Sequence, residues 1–327
     1  MTVLVTGSAG FIGSHVSQSL LARGEPVLGV DNLNSYYDPA LKHARLERLR
    51  EDPAFAFEQA DIADLKAMQS LAKRRRDEIT GVVHLAAQAG VRHSLKAPFD
   101  YVRSNLQGHM VVLEVCRNEL PALRHLVYAS SSSVYGGNTK IPFAVEDRVD
   151  QPISLYAATK RADELMSHCY SHLYGMPATG LRFFTVYGPW GRPDMAAYLF
   201  ADAITRGRPI TLNNHGEMQR DFTYVDDIVA GVLAALDRPP TGREGAPHAV
   251  YNLGNHRPVE LRRFVQVLED ALGMRAKIEL APLPPGDVVR TCADIEASRR
   301  DLGFEPHTPI EVGLPNFVAW YRAYHRL

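Results

Sequence analysis

Five times before residue 175 a short, nearly continuous apolar run gives way to a segment of helical periodicity, and a sixth run closes the series. The runs cover residues 2–6, 26–31, 54–60, 81–85, 123–129 and 178–184, and helices are expected over 11–23, 39–50, 64–74, 106–119 and 154–174. A strand that is apolar at successive positions is covered on both faces, and helical crossovers make its neighbours parallel. Right-handed crossovers then give an α/β fold with a doubly wound parallel sheet. After about Pro189 the texture changes: Gly and Pro come at shorter spacing, and Pro239-Pro240-Thr241-Gly242 and residues 282–286 read as loops. The expected organisation is a first domain over 1–188 and a smaller mixed α/β C-terminal lobe over 189–327, with some segments returning to the first domain.

Length and composition agree with that plan and narrow the function. At roughly 100–200 residues per domain, 327 residues make two. An apolar fraction of 46% supplies a sizeable core and excludes wholesale disorder. Lys and Arg number 36 against 37 Asp and Glu, a net charge of −1, so nothing electrostatic favours nucleic acid or an anionic membrane as partner. Cys116, Cys169 and Cys292 are scattered, without a CxxC or Cys/His cluster, so neither a disulfide framework nor a metal site is expected. No secretory leader pattern and no apolar stretch near the ~18 residues of a membrane span is present. A soluble, cytoplasmic protein is expected.

The first strand runs straight into Gly7-Ser8-Ala9-Gly10-Phe11-Ile12-Gly13. The spacing is G-x-x-G-x-x-G. One glycine allows a tight turn, one lets the backbone approach a pyrophosphate, and one lets the helix pack on the strand, with the helix N-terminus facing the anion. Asp31, about 20 positions on at the end of the second strand, is placed to bond a ribose 2′-hydroxyl and to repel a 2′-phosphate. That favours NAD over NADP, on a Rossmann-type sheet. Asp61 and Ile62 follow the third strand and would flank the adenine. Ala86, Ala87 and Gln88 follow the fourth, at a strand end rich in small residues.

The chemistry is expected at the next two strand ends. Ser131, Ser132 and Ser133 follow the fifth strand, and Tyr156 and Lys160 open the next helix four residues apart, hence on one face. The Tyr-x-x-x-Lys spacing occurs once in the chain. An ammonium beside a phenol favours the phenolate, lowering its pKa from about 10 towards neutral. Tyr156 is therefore the candidate general base for an alcohol or sugar hydroxyl, with a hydroxyl of the serine loop holding the same oxygen.

These residues resemble the extended short-chain dehydrogenase/reductase superfamily, in its NAD-dependent nucleotide-sugar epimerase and dehydratase branch. The resemblance spans essentially the whole chain. Within the branch it is nearest the UDP-glucuronate 4-epimerases, through Asp31-Asn32-Leu33-Asn34-Ser35-Tyr36-Tyr37-Asp38, Ala86-Ala87-Gln88-Ala89-Gly90-Val91-Arg92, the long stretch 182–196 and Arg220-Asp221-Phe222-Thr223-Tyr224. It implies a bound NAD touched by Phe11, Ile12, Asp31, Asn32, Asp61, Ile62, Ala86, Ala87, Asn105, Tyr156, Lys160 and Phe184, and a UDP-sugar in the C-terminal lobe. It implies Thr185 and Arg192 on the glucuronate carboxylate, and Arg220 and Arg290 on the diphosphate. For Arg192 there is independent logic, since a guanidinium forks onto a carboxylate. Arg220 has rivals in an ion pair with Asp221 or Asp226.

One departure is informative. Related dehydratases carry Asp-Glu after the active-site hydroxyl residue, and related decarboxylases carry Glu; Ser132 and Ser133 stand there in this chain. Oxidation at C4 without elimination or decarboxylation is the expected outcome: Tyr156 removes the C4 proton, the 4-keto sugar turns, and re-reduction inverts C4. The alternatives are a 4-epimerase of a neutral UDP-hexose, a UDP-glucuronate decarboxylase or sugar dehydratase, and a non-catalytic NAD-binding protein. The resemblance further implies a homodimer through the helices over 106–119 and 154–174.

Overall fold

The computed structural model describes residues 2–242, 245–284 and 286–327; Pro285, inside the loop expected over 282–286, lies outside them. Strands β1 (Thr2–Thr6), β2 (Val27–Asp31), β3 (Phe55–Gln59), β4 (Ile79–His84), β5 (His125–Ser131) and β6 (Ala178–Phe183) are joined by a seventh, His248–Leu253. The order is seventh-β6-β5-β4-β1-β2-β3, and every neighbouring pair is parallel. Chain direction along the sheet reverses between β1 and β4, which opens a crevice outside the carboxyl ends of those strands.

The continuous apolar runs have a direct cause. Val3, Val5, Val27, Val83 and Leu181 belong to one buried cluster, while Leu4, Leu28, Val82 and Leu126 belong to a second. Alternate residues of a strand point to opposite faces, so a sheet buried on both sides needs apolar residues at every position. Polar residues fix where helices begin. Asp38 accepts from the Ala40 amide ahead of helix Pro39–Arg50, Asp64 from Ala67 ahead of Leu65–Arg74, and Ser154 from Ala157 ahead of Leu155–Tyr174.

Two elements depart from the sequence expectation. The helix expected over 106–119 begins earlier: a turn over Pro98–Tyr101 runs into a π-helical stretch, Val102–Gln107, and then into Gly108–Glu119. A π turn shifts side chains off the 3.6-residue period, so the apolar pattern becomes readable only beyond it. The seventh strand was not expected at all. It lies on the sheet edge with only Asn252 and Leu253 buried, so it carries no continuous apolar run. Between β6 and this strand the chain forms helix Val225–Leu236, which lies against helix Phe11–Ala22.

The remaining C-terminal elements flank the crevice. Thr185–Tyr187 pairs with Phe222–Tyr224 and Pro209–Leu212 with Lys277–Leu280, both parallel; Gln219–Arg220 pairs antiparallel with Val259–Glu260. Helices Ala196–Thr205, Leu261–Leu272 and Ile310–His325 complete the lobe. Among the described residues no helix is long and apolar enough to cross a membrane.

Candidate active site

One cavity of about 1390 Å³ follows the crevice from the β1–β4 carboxyl ends to the C-terminal elements. A single small ligand usually occupies ~300–1,000 Å³, so there is room for two. It is lined by Gly7, Gly10, Phe11, Ile12, Gly13, Asp31, Asn32, Asp61, Ile62, Ala86, Ala87, Gln88, Ser131, Ser132, Ser133, Tyr156, Lys160, Phe184, Thr185, Arg192 and Arg220. The structure thus brings together every sequence-derived candidate except Asn105 and Arg290.

Its first end is built from backbone. Gly7 sits at φ +73°, and a Cβ there would come within 2.8 Å of the Ala86 amide nitrogen. A Cβ on Gly13 would overlap the Gly7 carbonyl. Helix Phe11–Ala22 starts at Gly10 with no side-chain cap, so its first amides remain available to an anion. Asp31 is turned towards the cavity by accepting from the Leu33 amide at 2.8 Å, with Lys42 at 3.9 Å. This cradle, with an acidic residue at the second strand end, fits the diphosphate and ribose of NAD. Asn105 stands behind the wall. It exchanges two hydrogen bonds with the Gln88 backbone (2.8 and 3.1 Å) and donates to Thr159 Oγ1 at 3.0 Å, which ties the segment after β4 to the Tyr156 helix.

The middle carries the candidate chemistry. Tyr156 borders the cavity, its ring edge-on to Tyr101 at 6.1 Å, and Tyr101 donates to the Ala89 carbonyl at 2.8 Å. Lys160 is buried. Its ammonium donates to the Ala129 carbonyl at 2.9 Å and to Asp163 at 3.0 Å. The serine loop is braced from below: Ser130 donates to Glu164 at 2.6 Å, and Glu164 is forked by Arg182 at 2.8 and 2.9 Å. Ser131 Oγ accepts from the Ser133 amide at 3.2 Å, shaping the turn Ser132–Tyr135 and bringing the hydroxyls to the cavity.

The far end is built from ion pairs. Arg192 turns its Nε and Nη2 edge onto Asp194 at 3.0 and 2.5 Å, and Tyr36 donates to the same carboxylate at 3.0 Å. Burial works against the Asp194 anion, but Arg192 and Tyr36 hold its carboxyl below the usual range. Burial and then Asp194 push the Tyr36 phenol up to about 12. Arg220 pairs with Asp287 at 2.7 Å, and Arg92 reaches Asp287 at 3.5 Å. The sequence rivals Asp221 and Asp226 are therefore not its partners. Asp221 is fully buried and accepts from the Asn255, His256 and Ala293 amides, stapling three segments. Arg290 is exposed, on an isolated bridge to Gln219, and does not line the cavity.

Tyr36, Arg92, Asp194 and Asp287 border the cavity and were not among the sequence candidates. The first three lie inside the stretches that carry the resemblance, so position could have flagged them. Asp287 had no signal, because its partner is 67 residues away.

Comparison with known proteins agrees with this geometry. A family described as the NAD dependent epimerase/dehydratase family matches residues 3–254. The chain is 50% identical over 338 residues to UDP-glucuronate 4-epimerase 4 of Arabidopsis thaliana, covering 99% of this chain and 76% of that one. Among solved structures it is similar to the UDP-glucuronic acid 4-epimerase of Bacillus cereus in complex with UDP-glucuronic acid and NAD, at a TM-score of 0.90 and 32% identity, covering 99% of this chain and 100% of that one. A UDP-glucose 4-epimerase of Thermotoga maritima with UDP-glucose matches at a TM-score of 0.88 and 30% identity, with the same coverage.

Proposed function

The chain belongs to the NAD dependent epimerase/dehydratase family, and from that premise we propose that it interconverts UDP-glucuronate and UDP-galacturonate by inversion at C4. One observation carries the reading: Tyr156 and Ser131 border the same cavity as a glycine cradle at one end and Arg192 with Thr185 at the other. We read residues 1–188 as the cofactor half and 189–327 as the sugar half, with Val225–Leu236 and His248–Leu253 returning to the sheet. We also read the protein as a cytoplasmic homodimer, since Leu165 and Leu173 on the Tyr156 helix are 55% and 60% exposed and offer an apolar face to a second copy.

NAD supplies the acceptor, and later the donor, of the hydride at C4. The Gly7–Gly13 cradle and Asp31 hold it, and Lys160 keeps a cation beside the reacting oxygen. Tyr156 as phenolate removes the C4-hydroxyl proton while Ser131 holds that oxygen. The resulting 4-keto sugar is a β-keto acid, prone to lose CO₂. Thr185 and Arg192 hold its carboxylate and so oppose the charge shift that loss requires. Arg192 can do this with Asp194 in place, because Asp194 takes the Nε/Nη2 edge and leaves Nη1 for the sugar. Arg220 anchors the diphosphate while the keto sugar turns, and Tyr156 returns the proton. The loop after β5 offers hydroxyls at Ser132 and Ser133 and no carboxylate, which disfavours elimination and decarboxylation.

The test is NMR of the sugar anomeric protons with purified protein, UDP-glucuronate and no added NAD. Interconversion reaching one equilibrium from either side is expected. A UDP-pentose product would sink the reading of the serine loop, and comparable turnover of UDP-glucose would sink the acidic substrate. Tyr156→Phe is expected to lose roughly 10²–10⁴-fold in kcat with NAD retained.

A further inference from the structure

The Tyr156 helix carries a second buried acid whose chemistry the reaction above does not use. Asp163 is 1% exposed. Its Oδ2 accepts from the Lys160 ammonium at 3.0 Å, while its Oδ1 is buried with no hydrogen-bond partner among the described residues. A half-satisfied buried carboxylate is costly, so the Lys160 contact is its main compensation. Lys160 is equally committed, because its other partner is the neutral Ala129 carbonyl.

Lys160 is the one cation that Asp163 meets directly among the described residues. From its own helix Asp163 also faces Glu164, which is forked by Arg182 and adds to the effect of burial. From helix Gly108–Glu119 it faces His109, bonded to Ser167 at 2.8 Å. Behind His109 stands His84 of β4, its ring 5.2 Å away and bonded to Thr6. Tyr128 of β5 packs on the same side. Burial holds the His109 imidazole well below its ordinary range and His84 at about 3, and pushes the Tyr128 phenol up, so all three are neutral at working pH. Burial pushes the Asp163 carboxyl up to about 6, with Lys160 opposing.

We propose that Asp163 is the counter-ion of Lys160 and a positioning residue for catalysis, setting through that lysine how strongly the Tyr156 phenolate is favoured. The proposal rests on Tyr156 and Lys160 being the catalytic pair. A lone ammonium beside a phenol pulls its pKa down, and a carboxylate 3.0 Å behind that ammonium takes back part of the pull. The same carboxylate pairs the buried ammonium. Asp163 therefore trades part of the phenolate's stabilisation for a paired and fixed lysine.

The experiment is the pH profile of kcat for holoenzyme bearing Asp163→Asn, read against wild type, Asp163→Glu and Tyr156→Phe, with NAD content measured for each. With the carboxylate charge removed, Lys160 is uncompensated and the phenolate is favoured. The acid limb is expected to move down by about one pH unit. Asp163→Glu keeps the charge and should keep the wild-type limbs. Should the Asn variant not fold, Asp163→Ser is also neutral and predicts the same shift. The difference absorbance of phenolate near 295 nm between wild type and Tyr156→Phe reads the phenol without turnover. Limbs of the Asn or Ser variant that superpose on wild type, with Tyr156→Phe inactive, overturn the role of Asp163 alone. Turnover surviving in Tyr156→Phe overturns the catalytic pair and the proposal together.

Discussion

The two ends of the cavity are built by opposite means. The first end uses backbone: Gly7 and Gly13 at contact distance, and a helix that begins without a cap. The far end uses side chains that already hold each other, Arg192 on Asp194 and Arg220 on Asp287. A backbone cradle is specified by shape, so a single methyl group can spoil it. A cluster of paired charges is specified by balance, so removing one carboxylate can make it a stronger anion site. The two ends should fail differently, and that is what mutagenesis can check.

The largest effect is expected at the cradle. A Cβ on Gly13 meets the Gly7 carbonyl, which is backbone and cannot swing aside. Overpacking costs about 1–3 kcal/mol and sometimes more, so Gly13→Ala should lower NAD affinity by roughly tenfold or more. The readout is the NAD content of the purified protein after denaturation. A normal NAD content would show that the cradle yields, and would break the contrast at its first term.

A smaller effect of unusual sign is expected at the other end. Asp287 is the carboxylate shared by Arg220 and Arg92. Burial lowers the Arg220 pKa, and Asp287 opposes that. Arg220→Ala removes a charge-assisted contact worth about 1.5–3 kcal/mol and should raise KM for UDP-glucuronate about tenfold with kcat little changed. Asp287→Asn leaves both cations and removes their competitor, so KM should fall a few-fold at low salt. A rise of KM in both variants would mean that Asp287 orients Arg220 rather than competing for it.

The same contrast explains what could be read from the sequence. The cradle is written in contiguous residues, Gly7 to Gly13, and the proposed catalytic pair in a five-residue span of one helix. Patterns of that kind survive without any knowledge of the fold. The strands of the first six runs were legible because burial on both faces makes them continuously apolar. His248–Leu253 was not, because it lies half-exposed at an edge. The pairing of charges was illegible for another reason. Tyr36 meets Asp194 across 158 residues, and Arg220 meets Asp287 across 67, so nothing local encodes either contact. Asn105 and Arg290 lie outside the cavity wall: Asn105 follows the lining residue Ser104 and braces the wall from behind, and Arg290 stands three positions beyond the lining residue Asp287, on the surface.

The subtlest expected difference concerns acid. His84, His109 and His125, on and beside the sheet, are almost wholly buried, and burial holds His84 at about 3 and His125 at about 4. An unfolded histidine titrates near 6.5, so as pH falls below that value the unfolded chain binds protons that these imidazoles refuse. Stability is therefore full above about pH 6.5 and declines towards pH 4. Glu164 adds a loss of its own only at lower pH, because Arg182 and Ser130 hold its carboxyl below the usual range against burial. On the sugar side His256 and His325 are only half-buried. Both tryptophans, Trp190 and Trp320, lie in that half with their rings 5.3 Å apart. At pH 5 the tryptophan fluorescence midpoint should lie above the far-UV circular dichroism midpoint by at least about 2–4 °C, the shift that 1 kcal/mol produces in a unit of about 150–250 residues, and the two should coincide at pH 8. Coincidence at both values would mean that the sheet and the sugar lobe unfold as one unit, with the acid loss shared between them.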